Sequence, residues 1–413
     1  MDKLTLTRSE ELYAQARQLV PGGILGIRRP YNFVPGEYPI FLDRAIGSRC
    51  WDVDGNEYVD MLAAYGPIIL GHREKEIDDA VVAQMEKGFC MNLAQPLQNE
   101  LATKLCALIP CAEKVVMVKT GSDATTAAIR IARGYTGKLK ILRCGYHGWH
   151  DWCVEVKGGV PAKLWEDTHE FHYNDLDGLD ALIAQHKDDV AAIIVTPVGH
   201  PLGHPVQAPA PGFLAGIRER ATQLGAVLVF DEIRSGFRVA LGGAMARYGV
   251  TPDLATIGKA MANGYPISAV VGKHEFMDVV EGKVFISSTF FPNSLEMAAA
   301  LKTIEILERE RALDKLWERG EAWLADVEEI IARSGVPAEL SGIPPMPFIT
   351  FPADEDKKYK QRRVRFYTEV IRRGVFLQPY HHGYIMARHT DADLQQAAQA
   401  IEDALKIVRR EIA

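Results

Sequence analysis

The chain has 413 residues, of which 47% are apolar and 24% charged, with a formal net charge of −7. This is the composition of an ordinary soluble protein with room for a sizeable core and more than one domain. No basic cluster suggests a nucleic-acid partner, no apolar run reaches the length of a membrane span, and the charged, amphipathic start MDKLTLTRSEELYAQARQLV is neither a signal nor a transit peptide.

Residues 3–20 read as a helix that Pro21-Gly22-Gly23 breaks. Asp54-Gly55, between Trp51–Val53 and Glu57–Val59, reads as a hairpin turn. Helical patterns follow near 74–87 and 98–108. From Val115 the chain alternates strands (115–118, 140–143, 191–195, 226–230, 254–257) with helices (124–133, 177–186, 212–224). Such alternation over roughly 160 residues predicts a doubly wound α/β fold with a mostly parallel sheet. After Asn293 come helices at 295–309 and 313–333, a strand at 347–351, a charged helix at 357–373, short strands near 375–377 and 384–386, and a last helix at 391–410. This tail reads as a small α+β domain. The expected division is an N-terminal segment 1–65 packing with the small domain, a large domain 66–305 with the mostly parallel sheet, and the small domain 306–413.

The chemistry is read at the carboxyl ends of the predicted parallel strands, where open α/β sheets bind ligands. A strand followed by Thr120-Gly121-Ser122 and a helix forms an anion site, because free amides and the helix dipole point at the same spot. No G-x-G-x-x-G and no Walker lysine accompany it, so a single phosphate fits better than a nucleotide. Tyr146, in Tyr146-His147-Gly148-Trp149 at the end of the next strand, either stacks on a flat ring or packs in the core. Asp231 ends the run Ala226–Phe230, and Lys259 follows the run Leu254–Ile257. Alone, these are an ordinary strand-end acid and a surface lysine. Together the four features offer a phosphate cradle, a stacking aromatic, a carboxylate for a ring nitrogen and an amine for an aldehyde. Pyridoxal 5′-phosphate (PLP) needs all four. The six cysteines contain no C-x-x-C pair, which argues against zinc or a disulfide framework and for a reducing cytoplasm. No metal is expected.

FDEIRSGFR, with GKAMANGYP 28 residues after its Asp, resembles the signature of the class III, fold type I PLP-dependent aminotransferases. VPGG, WDVDGNEYVDM, the YGPIILGH run, TGSDATTAAIRIARGYTG, YHGWHD, GVTPDLATIGK and TFFPNSLEMAAA extend the resemblance over nearly the whole chain. Within the family the look is that of glutamate-1-semialdehyde 2,1-aminomutase and of β-amino-acid aminotransferases. The resemblance implies a homodimer with shared active sites. It implies Lys259 as the Schiff-base lysine, Asp231 as partner of the pyridine nitrogen, and Ile233 and Tyr146 on the two ring faces. Gly121 and Ser122 become the phosphate turn, and His147 is counted with the cofactor-binding residues. Thr289 matches the threonine that reaches the neighbouring subunit's cofactor phosphate. For substrate, it implies Arg29, in preference to Arg28, as the carboxylate grip, Tyr65 as a pocket aromatic, and His382 in the C-terminal loop.

Four departures count against the aminomutase. Thr196-Pro197 replaces the family's Glu-Pro, and Asp123 replaces a Glu. The segment between Trp149 and Tyr173, a gating loop in the aminomutase, is short. QPYHHGYIM puts His381 and His382, read as surface residues or as substrate contacts, where the aminomutase has an acid. Without a long gate a released intermediate escapes. The expected activity is therefore ping-pong transfer between an amine or α-, β- or ω-amino acid and a keto acid. The alternatives are aminomutase-type intramolecular transfer, or an ammonia-lyase or epimerase on the same scaffold.

Overall fold

Val190–Val195, Val227–Asp231, Leu254–Ile257 and Ser268–Gly272 are buried at every position in the computed structural model, which describes residues 2–26, 34–199 and 205–412. Strands covered on both faces read as continuous apolar runs, which is why the sequence shows them so plainly. They belong to a seven-stranded sheet: β1 (Lys114–Val118), β2 (Lys140–Cys144), β3 (Thr168–Glu170), β4 (Val190–Val195), β5 (Val227–Asp231), β6 (Leu254–Ile257) and β7 (Ser268–Gly272). Their spatial order is β1-β7-β6-β5-β4-β2-β3. β7 runs antiparallel to both β1 and β6, and the remaining pairs are parallel. The carboxyl ends of β1, β2, β4, β5 and β6 thus share one edge. Strands β3 and β7 escape the sequence reading. β3 is three residues long at the rim, and β7 follows the Lys259 turn with no helix between.

The chain divides into two compact units, Lys75–Pro201 with Gln207–Leu313, and Met1–Glu74 with Leu202–Val206 and Asp314–Ala413. In the first, the sheet packs on the helix Gly121–Thr136. That helix buries Ala124, Ala128 and Ile131 against Val118, Ile194, Val229 and Val270. Small alanines on its inner face let it lie close to the strands. The sequence pattern starts the helix at Ala124; in the structure Gly121–Asp123 already form its first turn.

In the second unit the expected hairpin is present as Arg49–Asp52 paired antiparallel with Glu57–Asp60, and Val375–Phe376 adds to it in parallel. Met346–Thr350 pairs with Glu339–Ile343, a strand the sequence reading lacks. The strand expected at 384–386 is not formed. Tyr384 N donates to Met61 O at 2.8 Å and Ile385 N to Pro345 O at 3.3 Å, so these amides bond to separate loops and not to a ladder. The long helices Ala312–Ser334, Lys358–Arg372 and Asp391–Ile412 complete the unit.

Candidate active site

The phosphate turn is built by a reciprocal cap. Thr120 Oγ1 accepts from the Asp123 amide at 3.2 Å, and Asp123 Oδ2 accepts from the Thr120 amide at 2.8 Å. The amides of Gly121 and Ser122, the first two of the helix, have no acceptor within it by geometry. They are left for an anion at the positive end of a 16-residue helix. Asp123 is just long enough to close this box, so the Glu-to-Asp departure leaves the cap intact. Ser122 Oγ in turn accepts from the Trp149 amide at 3.3 Å, so the Tyr146–Trp149 loop wraps the same turn. Gly148 lies there with φ 112°, a conformation that excludes a side chain.

Asp231 closes β5 and is 4% exposed. Its Oδ1 accepts from Thr256 Oγ1 at 3.1 Å and from the Ile233 amide at 3.2 Å. Its Oδ2 is 2.7 Å from His147 Nδ1. A carboxylate only accepts, so Nδ1 carries the proton and donates. That leaves a lone pair on Oδ2 for one more donor, such as a ring N–H. His147 is buried and lies parallel to Trp152 at 6.3 Å between ring centroids. Thr256 is absent from the sequence reading. It is the polar residue of the buried LATI strand, and that oddity was the signal available. The neighbouring acid, Glu232, has a different job. It accepts from the Ala244 amide at 2.9 Å, the Met245 amide at 3.0 Å and the Ser235 hydroxyl, fixing the following loop; full burial raises its pKa.

Ile233 joins the parts. A Cβ on Gly121 would come within 3.0 Å of Ile233 Cγ2, and one on Gly258 within 3.2 Å of Ile233 Cδ1. The isoleucine therefore lies between the phosphate turn and the residue preceding Lys259. Lys259 is half-buried and opens a short 3-10 turn at φ 43°, a left-handed conformation uncommon for a residue with a side chain. Such conformations cluster where the surrounding structure fixes a side chain for chemistry. Tyr146, half-buried, follows Gly145 at the end of β2. Thr196 follows β4 and is buried, with no hydrogen-bond partner for its hydroxyl. A side chain on Gly145 would collide with that hydroxyl.

Gly121, Ser122, Tyr146, His147, Asp231, Ile233 and Lys259 thus lie at or just past the carboxyl ends of β1, β2, β5 and β6, on one sheet edge. Thr289 is in the same unit, in an exposed turn. Tyr65 and His382 are in the other unit. Tyr65 Oη accepts from Gln378 Nε2 at 3.0 Å, and its ring meets His381 edge-on at 5.1 Å. His381 and His382 are stacked at 4.4 Å and are buried, correcting the surface reading. Gln378 lies 313 residues from Tyr65, a separation no local pattern bridges. Arg29 and Arg28 lie outside the described residues. Among the described residues no cluster of three or more His, Cys, Asp or Glu has the arrangement of a metal site.

These residues fit PLP: two unclaimed helix amides for the phosphate, a buried carboxylate with a spare lone pair for the ring nitrogen, and a lysine on the same edge. A mostly parallel sheet with this edge defines the PLP-dependent transferases of fold type I. The class-III aminotransferase family profile matches residues 33–405, and the chain belongs to that family. It is 62% identical over 410 residues, 99% of each chain, to the 3-aminobutyryl-CoA aminotransferase of Cloacimonas acidaminovorans. It is 36% identical, over 98% of each chain, to the glutamate-1-semialdehyde 2,1-aminomutase of Heliobacterium modesticaldum. The PLP internal aldimine form of Sphingopyxis sp. MTA144 FumI superposes with a TM-score of 0.93 at 32% identity, over 98% of this chain and 97% of that one. The protein is a PLP-dependent aminotransferase that moves an amino group from a donor to a keto acid.

Proposed function

We propose that the amino donor is a β-amino acyl thioester of coenzyme A, of the 3-aminobutyryl-CoA type, and that the acceptor is a small keto acid. The observation that carries this is the full-length 62% identity to an aminotransferase of that name, against 36% to an aminomutase. The departures count against the aminomutase alternative. The acid expected after β4 is a threonine, and the segment joining Trp149 to Tyr173 is short.

The proposed roles are as follows. Bound at this edge, PLP supplies a protonated ring that accepts the electron pair of a bond broken at the amino carbon. Asp231 holds the proton on the ring nitrogen, and His147 and Thr256 hold Asp231 in position. The amides of Gly121 and Ser122 bind the phosphate. Ile233 and Tyr146 press on the two ring faces. Lys259 Nζ would hold the cofactor and serve as the base that takes a proton from the substrate carbon. Tyr65, His382 and Arg29 serve the substrate.

We further infer a homodimer in which Thr289 reaches the neighbouring subunit's phosphate. Trp149 at 69% exposure, Leu93 at 81% and Phe290 at 59% support it, since large apolar side chains left open on one chain are candidates for burial by a second. All six cysteines are free thiols, in keeping with a reducing cytoplasm. No helix among the described residues is long and apolar enough to cross a membrane.

The test is to incubate the holoenzyme with 3-aminobutyryl-CoA and either 2-oxoglutarate or pyruvate. Glutamate or alanine must form, and no ammonia is to appear when the keto acid is omitted. Transfer from free 3-aminobutyrate but not from its CoA ester defeats the donor assignment. Release of ammonia without an acceptor defeats transamination in favour of a lyase.

A further inference from the structure

The helix Lys358–Arg372 begins in a cationic segment, with Lys357, Lys358, Lys360, Arg362 and Arg363 against Asp354, Glu355 and Asp356. Several of its arginines are committed to carboxylates. Arg362 pairs with Asp354 at 2.5 Å, Arg365 with Glu369 at 2.6 Å and with Glu411 at 2.7 Å, and Arg372 with Glu37 at 2.8 Å. Asp354 is doubly occupied, since it also accepts from the Tyr359 amide at 3.4 Å and so caps the helix.

Arg363 is arranged differently. Its guanidinium carbon lies 4.2 Å from the Tyr380 ring centroid and 5.8 Å from that of Tyr359, and it donates to the Tyr380 hydroxyl. Lys360 Nζ is 5.8 Å from the Tyr359 ring. Neither Lys360 nor Arg363 is ion-paired among the described residues. Lys357 and Lys360 are exposed, and Arg363, Tyr359 and Tyr380 are half-buried. Cations close to tyrosine rings, beside exposed amines on the same turn, suit a ligand with both an aromatic base and several phosphates. Tyr380 also leads into the substrate-side cluster, because the next residue, His381, has its ring 5.1 Å from Tyr65.

We propose that Lys360 and Arg363, with Tyr359, bind the phosphorylated adenosine diphosphate end of a coenzyme A thioester, whose pantetheine arm then passes Tyr380 toward His381 and Tyr65. This rests on the donor reading given above. It assigns the nucleotide, the part of the donor that takes no part in the chemistry, to a surface that the transfer reaction itself does not require.

Two measurements on the holoenzyme test it. The first is calorimetric titration with free coenzyme A, which carries the handle but no amino group. Lys360→Ala and Arg363→Ala each raise its Kd by about tenfold, the loss of one charge-assisted contact to phosphate. The second compares 3-aminobutyryl-CoA with 3-aminobutyryl-pantetheine. The variants raise KM for the CoA ester, leave kcat unchanged, and leave the pantetheine ester unaffected. A double variant of unchanged melting temperature that binds coenzyme A as tightly as the parent overturns the proposal, as does equal loss with both esters. The two readings fail separately. Patch-dependent binding of coenzyme A without amino transfer from the ester leaves the patch standing and removes the donor assignment. Transfer from the ester with undiminished affinity in the double variant does the reverse.

Discussion

At the scale of single residues, the site is a set of side chains held by partners distant in sequence. Lys259 has the plainest expectation. If Lys259 carries the proton as proposed, turnover in Lys259→Ala falls by at least about a hundredfold, the usual worth of a positioned acid–base group; steady-state assays with saturating donor check it. His147 makes the sharper case. It lies 84 residues from Asp231 and donates to its buried carboxylate. In His147→Phe that carboxylate loses a charge-assisted bond while its surroundings stay apolar. The expected cost is about 1–3 kcal/mol, appearing as a rise of roughly five- to 150-fold in the dissociation constant for PLP, followed by dialysis and absorbance. If cofactor retention is unchanged while turnover drops, His147 acts on the substrate and not through Asp231. Lys259, Asp231 and the phosphate turn were legible because each follows an apolar strand whose pattern is local. Thr256 and Gln378 were not, since their roles depend on which strand or loop lies beside them.

At the scale of elements, two parts carry testable loads. The capping box that starts the helix Gly121–Thr136 also leaves the Gly121 and Ser122 amides open. Thr120→Ala removes the cap, costs about 1 kcal/mol of stability and weakens PLP binding with it. Thermal melts of the apo and holo forms separate the two effects: a cap serving stability alone lowers both midpoints equally. At the rim of the sheet, His169 in β3 stacks on His186 at 4.0 Å. Burial, then the facing His186 and Lys140, lower the His169 pKa, with Asp167 opposing. The sign follows. The fold holds His169 neutral more firmly than the unfolded chain does, so its contribution is present above the ordinary value of 6.5 and is lost as pH falls through the lowered one. The melting temperature therefore falls more steeply on acidification in the parent than in His169→Gln. Parallel slopes across that window contradict this. β3 itself was missed in the sequence because a three-residue edge strand has too few positions to show a pattern.

At the scale of the whole molecule, the proposal of shared sites makes a prediction by complementation. Lys259→Ala and Thr289→Ala are each impaired alone. If Thr289 serves the neighbouring subunit, a mixed dimer carries both defects in one site and none in the other. Subunit exchange in an equal mixture then restores about a quarter of parental activity, since half the dimers are mixed and each has one intact site. If Thr289 serves its own subunit, no site is intact and nothing is recovered.

The class of fold and the cofactor were determined by the sequence alone. Buried parallel strands write themselves as apolar runs, and the residues that follow them lie at one sheet edge whatever the rest of the chain does. The order of the strands, the antiparallel β7, and the hydrogen bonds that hold Asp231 were decided only in the tertiary structure. So was the burial of His381 and His382, whose polar rings look solvent-facing in sequence yet stack inside a cluster closed by Tyr65 and Tyr384. The physical reason is range. Hydrophobic periodicity and capping act over a few residues, whereas a polar side chain's role depends on the partner brought to it by chain segments up to hundreds of residues away.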